Sequence, residues 1–176
     1  MACENCGYNW TAKDRYVYFL VLLPFLVGFL GSVVLIWGIH PLLAVVLLVL
    51  YVMGNVFQAQ CCIGCPYRGK FCPPIFGVYL ANLFSSWWYA GQVFDKEKFE
   101  RSANIAMSFL AAALLFAFYW LYTIGWLYVV AVFLLMVLHT VLMLWLICPK
   151  CGYNDTCPAG ILSCSMFGRH QDAGGG

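Results

Sequence analysis

The chain has 176 residues, of which 64% are hydrophobic, 18% aromatic and only 9% charged. Soluble domains carry roughly a quarter charged residues, so this composition excludes a surface turned wholly to water and makes lipid part of the solvent. A formal net charge of +2 with no basic stripe excludes nucleic acid as a partner.

In chain order, residues 1–15 are a polar arm bearing Cys3 and Cys6. A transmembrane helix needs about 20 apolar residues, and the first candidate is 16–37, which has no charge. Its length, and the polar arm ahead of it, predict an uncleaved anchor in place of a signal peptide. Gly28 and Ser32 on this span suit close helix packing. Gly38-Ile39-His40-Pro41 breaks the run, with Pro41 placed to open the next helix. The second span covers 41–57 and extends as far as residue 60, which closes a hairpin over 16–60.

The segment 61–102 carries Cys61, Cys62, Cys65 and Cys72. Within it, 74–94 has no charge and is long enough to be a fifth span. Its polar residues Asn82, Ser85, Ser86 and Gln92 recur at helical spacing, and Trp87, Trp88 and Tyr89 suit the headgroup level. A fifth span would put Lys96, Lys98 and Arg101 on the opposite side from the other cations. We therefore read 74–94 as an interfacial or re-entrant segment. Asp95 is placed to cap the third helix, whose span covers 103–122 and carries Ala111, Ala112, Ala113 and Ala117 for close packing. The fourth span, 125–147, completes a second hairpin over 103–147. The tail, 148–176, holds Cys148, Cys151, Cys157 and Cys164.

All nine basic residues fall before the first span, between the second and third, or after the fourth: Lys13, Arg15, Arg68, Lys70, Lys96, Lys98, Arg101, Lys150 and Arg169. With four crossings these regions share one side. The positive-inside rule makes that side cytoplasmic, with both termini and all ten cysteines. The expected location is the cell membrane.

The chain also repeats itself. Cys3-Glu-Asn-Cys6-Gly7-Tyr8-Asn9 recurs as Cys148-Pro-Lys-Cys151-Gly152-Tyr153-Asn154, and Cys62-Ile-Gly-Cys65-Pro66-Tyr67 is a third relative. The second span is followed by Cys62, Cys65 and Cys72-Pro73, and the fourth by Cys148, Cys151 and Cys157-Pro158. Two pseudo-repeated hairpins, each ending in a thiol motif, account for this pattern.

A Cys-x-x-Cys turn lets two thiolates grip one tetrahedral metal, and a following glycine relieves the backbone. The local run Cys-x-x-Cys-Gly-Tyr resembles the knuckles of rubredoxins and zinc ribbons, over two short pieces at opposite ends of the chain. Eight cysteines, Cys3, Cys6, Cys62, Cys65, Cys72, Cys148, Cys151 and Cys157, are enough for two four-thiolate sites. One pairing joins Cys3, Cys6, Cys148 and Cys151 and leaves the others for a second metal. In another, each hairpin motif keeps its own three and takes one thiolate from the arm. Cys61 and Cys164 are left over.

Zinc is the expected metal, because closed four-thiolate sites of this kind are structural. Rubredoxin-like iron or an iron–sulfur cluster is the alternative cofactor. The vicinal pair Cys61-Cys62 keeps a third reading open, soft-metal handling or thiol redox chemistry. A cytoplasmic location argues against disulfides.

His139 lies inside the fourth span. An intramembrane histidine is a candidate functional residue, and the competing reading is a neutral imidazole bonded to a group on a neighbouring helix. His40 lies at the opposite turn, so the two histidines do not share a haem. No span contains Asp, Glu, Lys or Arg, which argues against an ion-coupled carrier. There is no Ser-His-Asp set, carboxylate pair or phosphate-binding glycine loop, so a non-catalytic role is expected.

The sequence thus predicts an all-α integral membrane protein. Its four transmembrane helices form two pseudo-repeated hairpins, joined by an interfacial helix and topped by a cysteine-rich cytoplasmic cap. The expected role is a zinc-bearing subunit or adaptor of a membrane complex, in contact with lipid and with other membrane or cytoplasmic subunits. The alternatives are an electron-transfer protein with iron in the same thiolates, and the soft-metal or thiol-redox protein.

Overall fold

A computed structural model describes residues 12–60, 83, 95–150 and 158–167, and every element among them is helical. Helix α1 spans Ala12–Ile39, α2 Pro41–Gln60, α3 Lys96–Ile124 and α4 Trp126–Leu142. A π-helical turn, Met143–Ile147, continues α4 into a 3₁₀ turn, Cys148–Lys150, and α5 follows at Pro158–Phe167. Among the described residues four helices are long and apolar enough to cross a membrane, over Tyr16–Ile39, Pro41–Gln60, Lys96–Ile124 and Trp126–Ile147. They are the four expected spans. The segment 74–94, apart from exposed Leu83, lies outside the described residues.

Local chemistry sets the helix ends. The first helix starts four residues ahead of the apolar run, with Asp14 in its first turn, where a carboxylate faces the positive end of the helix dipole. His40 is the single residue between α1 and α2. Its Nδ1 accepts the Leu42 amide at 3.2 Å, and its carbonyl accepts Leu43 N–H at 3.0 Å. Pro41, which has no N–H to satisfy, takes the first helical position. Asp95 caps α3 as expected: its Oδ1 accepts the amides of Glu97 at 3.0 Å and Lys98 at 3.3 Å. At the other end of α3, the Gly125 N–H returns to the Leu121 carbonyl at 3.0 Å, and Gly125 is the single residue between α3 and α4.

The four long helices form a ring in which α1 neighbours α2 and α4, and α3 neighbours α2 and α4. Each neighbouring pair is antiparallel, because contacts that climb one helix descend the other. On α2 and α3, Gly54 faces Leu110, Phe57 stacks on Phe109 at 5.5 Å, and Gln60 accepts from Ser102 at 3.0 Å. On α1 and α4, Gly28 faces Met136, Phe25 lies 5.3 Å from the His139 ring, and Tyr18 packs with Ile147.

Small residues share the interior with a few large ones. Ala44, Ala113 and Ala117 are buried with Ile36, Leu47, Leu121 and Val132 in one cluster towards the end with the short turns. Leu42, Leu115 and Leu134, by contrast, are 66%, 68% and 59% exposed. Water would bury the large side chains first. Lipid does not, and helix association there rewards small residues that let backbones approach. Gly28 behaves as expected, meeting Met136 and Leu135 of α4. Ala111 and Ala112 do not: both are exposed, and Ala113 and Ala117 face the core. In a run of three consecutive alanines, the 3.6-residue period turns some of them outward.

Candidate functional site

The antiparallel ring brings the start of α1, the end of α2, the start of α3 and the end of α4 to one end of the bundle. Contacts among the described residues join neighbouring helices there. Tyr18 and Val21 of α1 are buried against Ile147 at the close of the π-helical turn. Ser102 Oγ of α3 donates to Oε1 of Gln60, the last residue of α2, at 3.0 Å. Asp14 is buried at the start of α1, and Phe99 and Ser102 are buried in the first turns of α3. Lys96 and Lys98 here are exposed: Lys96 lies 3.8 Å from Glu100, and Lys98 the same distance from Asp95. Such exposed pairs contribute little.

Of the eight expected ligands, Cys148 is among the described residues. Cys3, Cys6, Cys62, Cys65, Cys72, Cys151 and Cys157 lie outside them, as does Cys61. Cys148 is half-buried and begins the 3₁₀ turn. Its N–H donates to the Met143 carbonyl, five residues back, and so closes the widened turn. Among the described residues no three His, Cys, Asp or Glu side chains group as metal ligands.

Helix α5 packs beside this end of α4. Ser163 is fully buried, and its Oγ donates to the Leu144 carbonyl at 2.6 Å. A π-helical turn displaces backbone carbonyls from the regular ladder, and the Ser163 hydroxyl meets one of them. Cys164, the next residue, is half-buried. From the sequence 148–176 reads as a cysteine motif and tail, without this helix. The signal for it was Pro158, a proline at a helix's first position, ahead of a charge-free, largely apolar run.

His139 is tied to α1. Its Nδ1–H donates to the Val21 carbonyl at 2.8 Å, which is the interhelical bond weighed against a functional role. Pro24, three residues on, lies inside α1. A proline removes one donor from the helix ladder and crowds the preceding turn, and the carbonyl His139 reaches lies in that turn. Phe25 lies beside the imidazole, and Tyr51 stands 5.8 Å from Phe25 and 4.3 Å from Phe29. His40, the residue after α1, lies 19 residues beyond Val21, roughly 28 Å at 1.5 Å per residue, so the two imidazoles do not face a common group.

Most other polar groups on the four helices bond within their own helix. Ser32 donates to the Gly28 carbonyl, Asn55 to Tyr51, Ser108 to Asn104 and Thr140 to Met136, each four residues back. Comparison with protein-family models, with curated proteins and with solved structures finds no match.

Proposed function

We propose that this chain is a polytopic membrane protein whose bundle gathers cysteine thiolates at one end into a zinc-bound cap, and that it serves as a subunit or adaptor of a membrane complex. The observation that carries the reading is the convergence of four helix ends, held by Tyr18 and Val21 against Ile147 and by Ser102 against Gln60. Each thiol motif is tethered to one of those ends. Cys6 precedes α1 by six residues and Cys62 follows α2 by two. At about 3.5 Å per extended residue the first tether is at most about 21 Å and the second about 7 Å. Cys148 directly follows Ile147. The three motifs are thus within reach of one another, which a distant knuckle pair requires.

In this reading the arm, 1–15, the segment 61–102 and the tail, 148–176, share the cytoplasmic face, where the basic residues lie. The two hairpins, 16–60 and 103–147, are copies of one unit, and 74–94 lies along the interface. Cys3, Cys6, Cys62, Cys65, Cys72, Cys148, Cys151 and Cys157 hold two zinc ions in closed tetrahedral sites. Zinc there is structural and staples segments that have little apolar surface of their own.

Elemental analysis of protein purified in mild detergent without chelator tests the proposal. Two zinc atoms per chain are expected. Iron with visible absorption would replace this reading with electron transfer through the same thiolates, and absence of metal would overturn both. If Cys61→Ser with Cys62→Ser changed the metal tolerance of cells, the soft-metal reading would take over.

A further inference from the structure

We propose that α5 is a membrane-embedded interfacial helix whose outer face, Ile161, Leu162 and Met166, lies among lipid acyl chains beside the end of α4. The inference rests on the spanning role of the four long helices and is independent of which metal the thiols hold.

Depth comes first. Ser163 is bonded to the Leu144 carbonyl, and Leu144 lies three residues inside the end of the apolar span at Ile147. At 1.5 Å per residue this is about 4–5 Å. The middle of α5 is therefore level with the last turn of the span, not above it. Trp145 on the same turn is 52% exposed, as expected of an aromatic residue at the headgroup boundary.

Composition and surface agree. Pro158–Phe167 contains no charged residue. Gly160 and Ser163 are buried, which fixes the packing side. On the outer side Ile161, Leu162 and Met166 are 53%, 48% and 58% exposed. Val141 of α4 and Trp145 of the π-helical turn are also exposed. A helix apolar on its outer side needs an apolar solvent there. Arg169, two residues beyond the helix, supplies a cation suited to anionic headgroups.

Polar satisfaction points the same way. Ser165 is exposed, yet its Oγ donates to the Leu162 carbonyl at 2.7 Å. The Ser163 hydroxyl is likewise satisfied. Both hydroxyls of the helix thus meet the demand lipid makes of polar groups.

The test uses the full chain reconstituted in vesicles of phosphatidylcholine with phosphatidylglycerol. A nitroxide is attached through p-acetylphenylalanine placed singly at Ile161, Leu162 or Met166, with Leu134 as the lipid-facing control and Glu97 as the aqueous one. Collisions with oxygen are expected to exceed those with a neutral nickel chelate several-fold at all three positions, as at Leu134. Nickel accessibility matching Glu97 would overturn the proposal and place α5 in water. Protection from both reagents would also overturn it, because a protein surface would then cover the helix. If Leu134 itself proved nickel-accessible, the spanning reading would fail and the proposal with it.

Discussion

The Nδ1–H of His139 donates to the backbone carbonyl of Val21 across 2.8 Å, from the fourth helix to the first. Several other polar side chains on the long helices bond to their own backbone, whereas this bond and that between Ser102 and Gln60 link neighbouring helices. Interhelical bonds of this kind in membranes contribute about 0.6 kcal/mol on average, and up to about 1.7. His139→Leu is expected to lower bundle stability by about 1 kcal/mol in a reversible detergent unfolding assay, and His139→Gln to lose less because a donor remains. Equal losses for both would assign the effect to ring packing on Phe25.

Three glycines on the spans should respond differently to alanine. A Cβ on Gly54 would meet Leu110 Cδ2 at 3.0 Å, Leu110 Cγ at 3.1 Å and the Ala106 carbonyl at 3.4 Å. Overpacking of this sort costs about 1–3 kcal/mol. At Gly28 the nearest atom is the flexible end of Met136, also at 3.0 Å, which can move aside. Gly31 has open space around it. The expected order of stability is Gly31→Ala at or above the parent, Gly28→Ala slightly below and Gly54→Ala lowest, by thermal unfolding in one detergent.

Ser163→Ala removes the buried hydroxyl from the Leu144 carbonyl. A neutral hydrogen bond contributes about 1 kcal/mol, a factor of about five in an opening equilibrium. Amide exchange in 158–167 should rise about fivefold while the core of α3 exchanges at its old rate. A uniform rise across the bundle would contradict local docking of α5.

The proposed metal ligation separates the two described cysteines. Cys148→Ala is expected to reduce bound zinc by one atom per chain, because a four-thiolate site does not close on three. Cys164→Ala should leave the stoichiometry intact. Chelation should loosen the cap but leave the helical circular dichroism of the bundle unchanged, since the buried cluster of Ile36, Leu47 and Leu121 lies towards the opposite end. Collapse of helicity on chelation would show that the metals hold the bundle itself.

The four spans and their order are legible in the residues alone, as are two short turns, one at His40 and one near Thr123 that the structure closes at Gly125. So is the cap at Asp95. These features follow from runs of apolar residues, the placement of charge and the preferences of proline and aspartate, which act over a few neighbouring positions. Only the tertiary structure decided which neighbours meet: that α1 closes the ring against α4, that Ala113 and Ala117 face inward while Ala111 and Ala112 face outward, that His139 reaches Val21, and that α5 folds back onto Leu144. A span apolar on every side carries no periodic mark of its packing face, and a short charge-free helix reads as a tail until something lies against it. The rotation of each helix is set by how small residues let backbones approach and by where a carbonyl meets a donor, and both depend on residues distant in the chain.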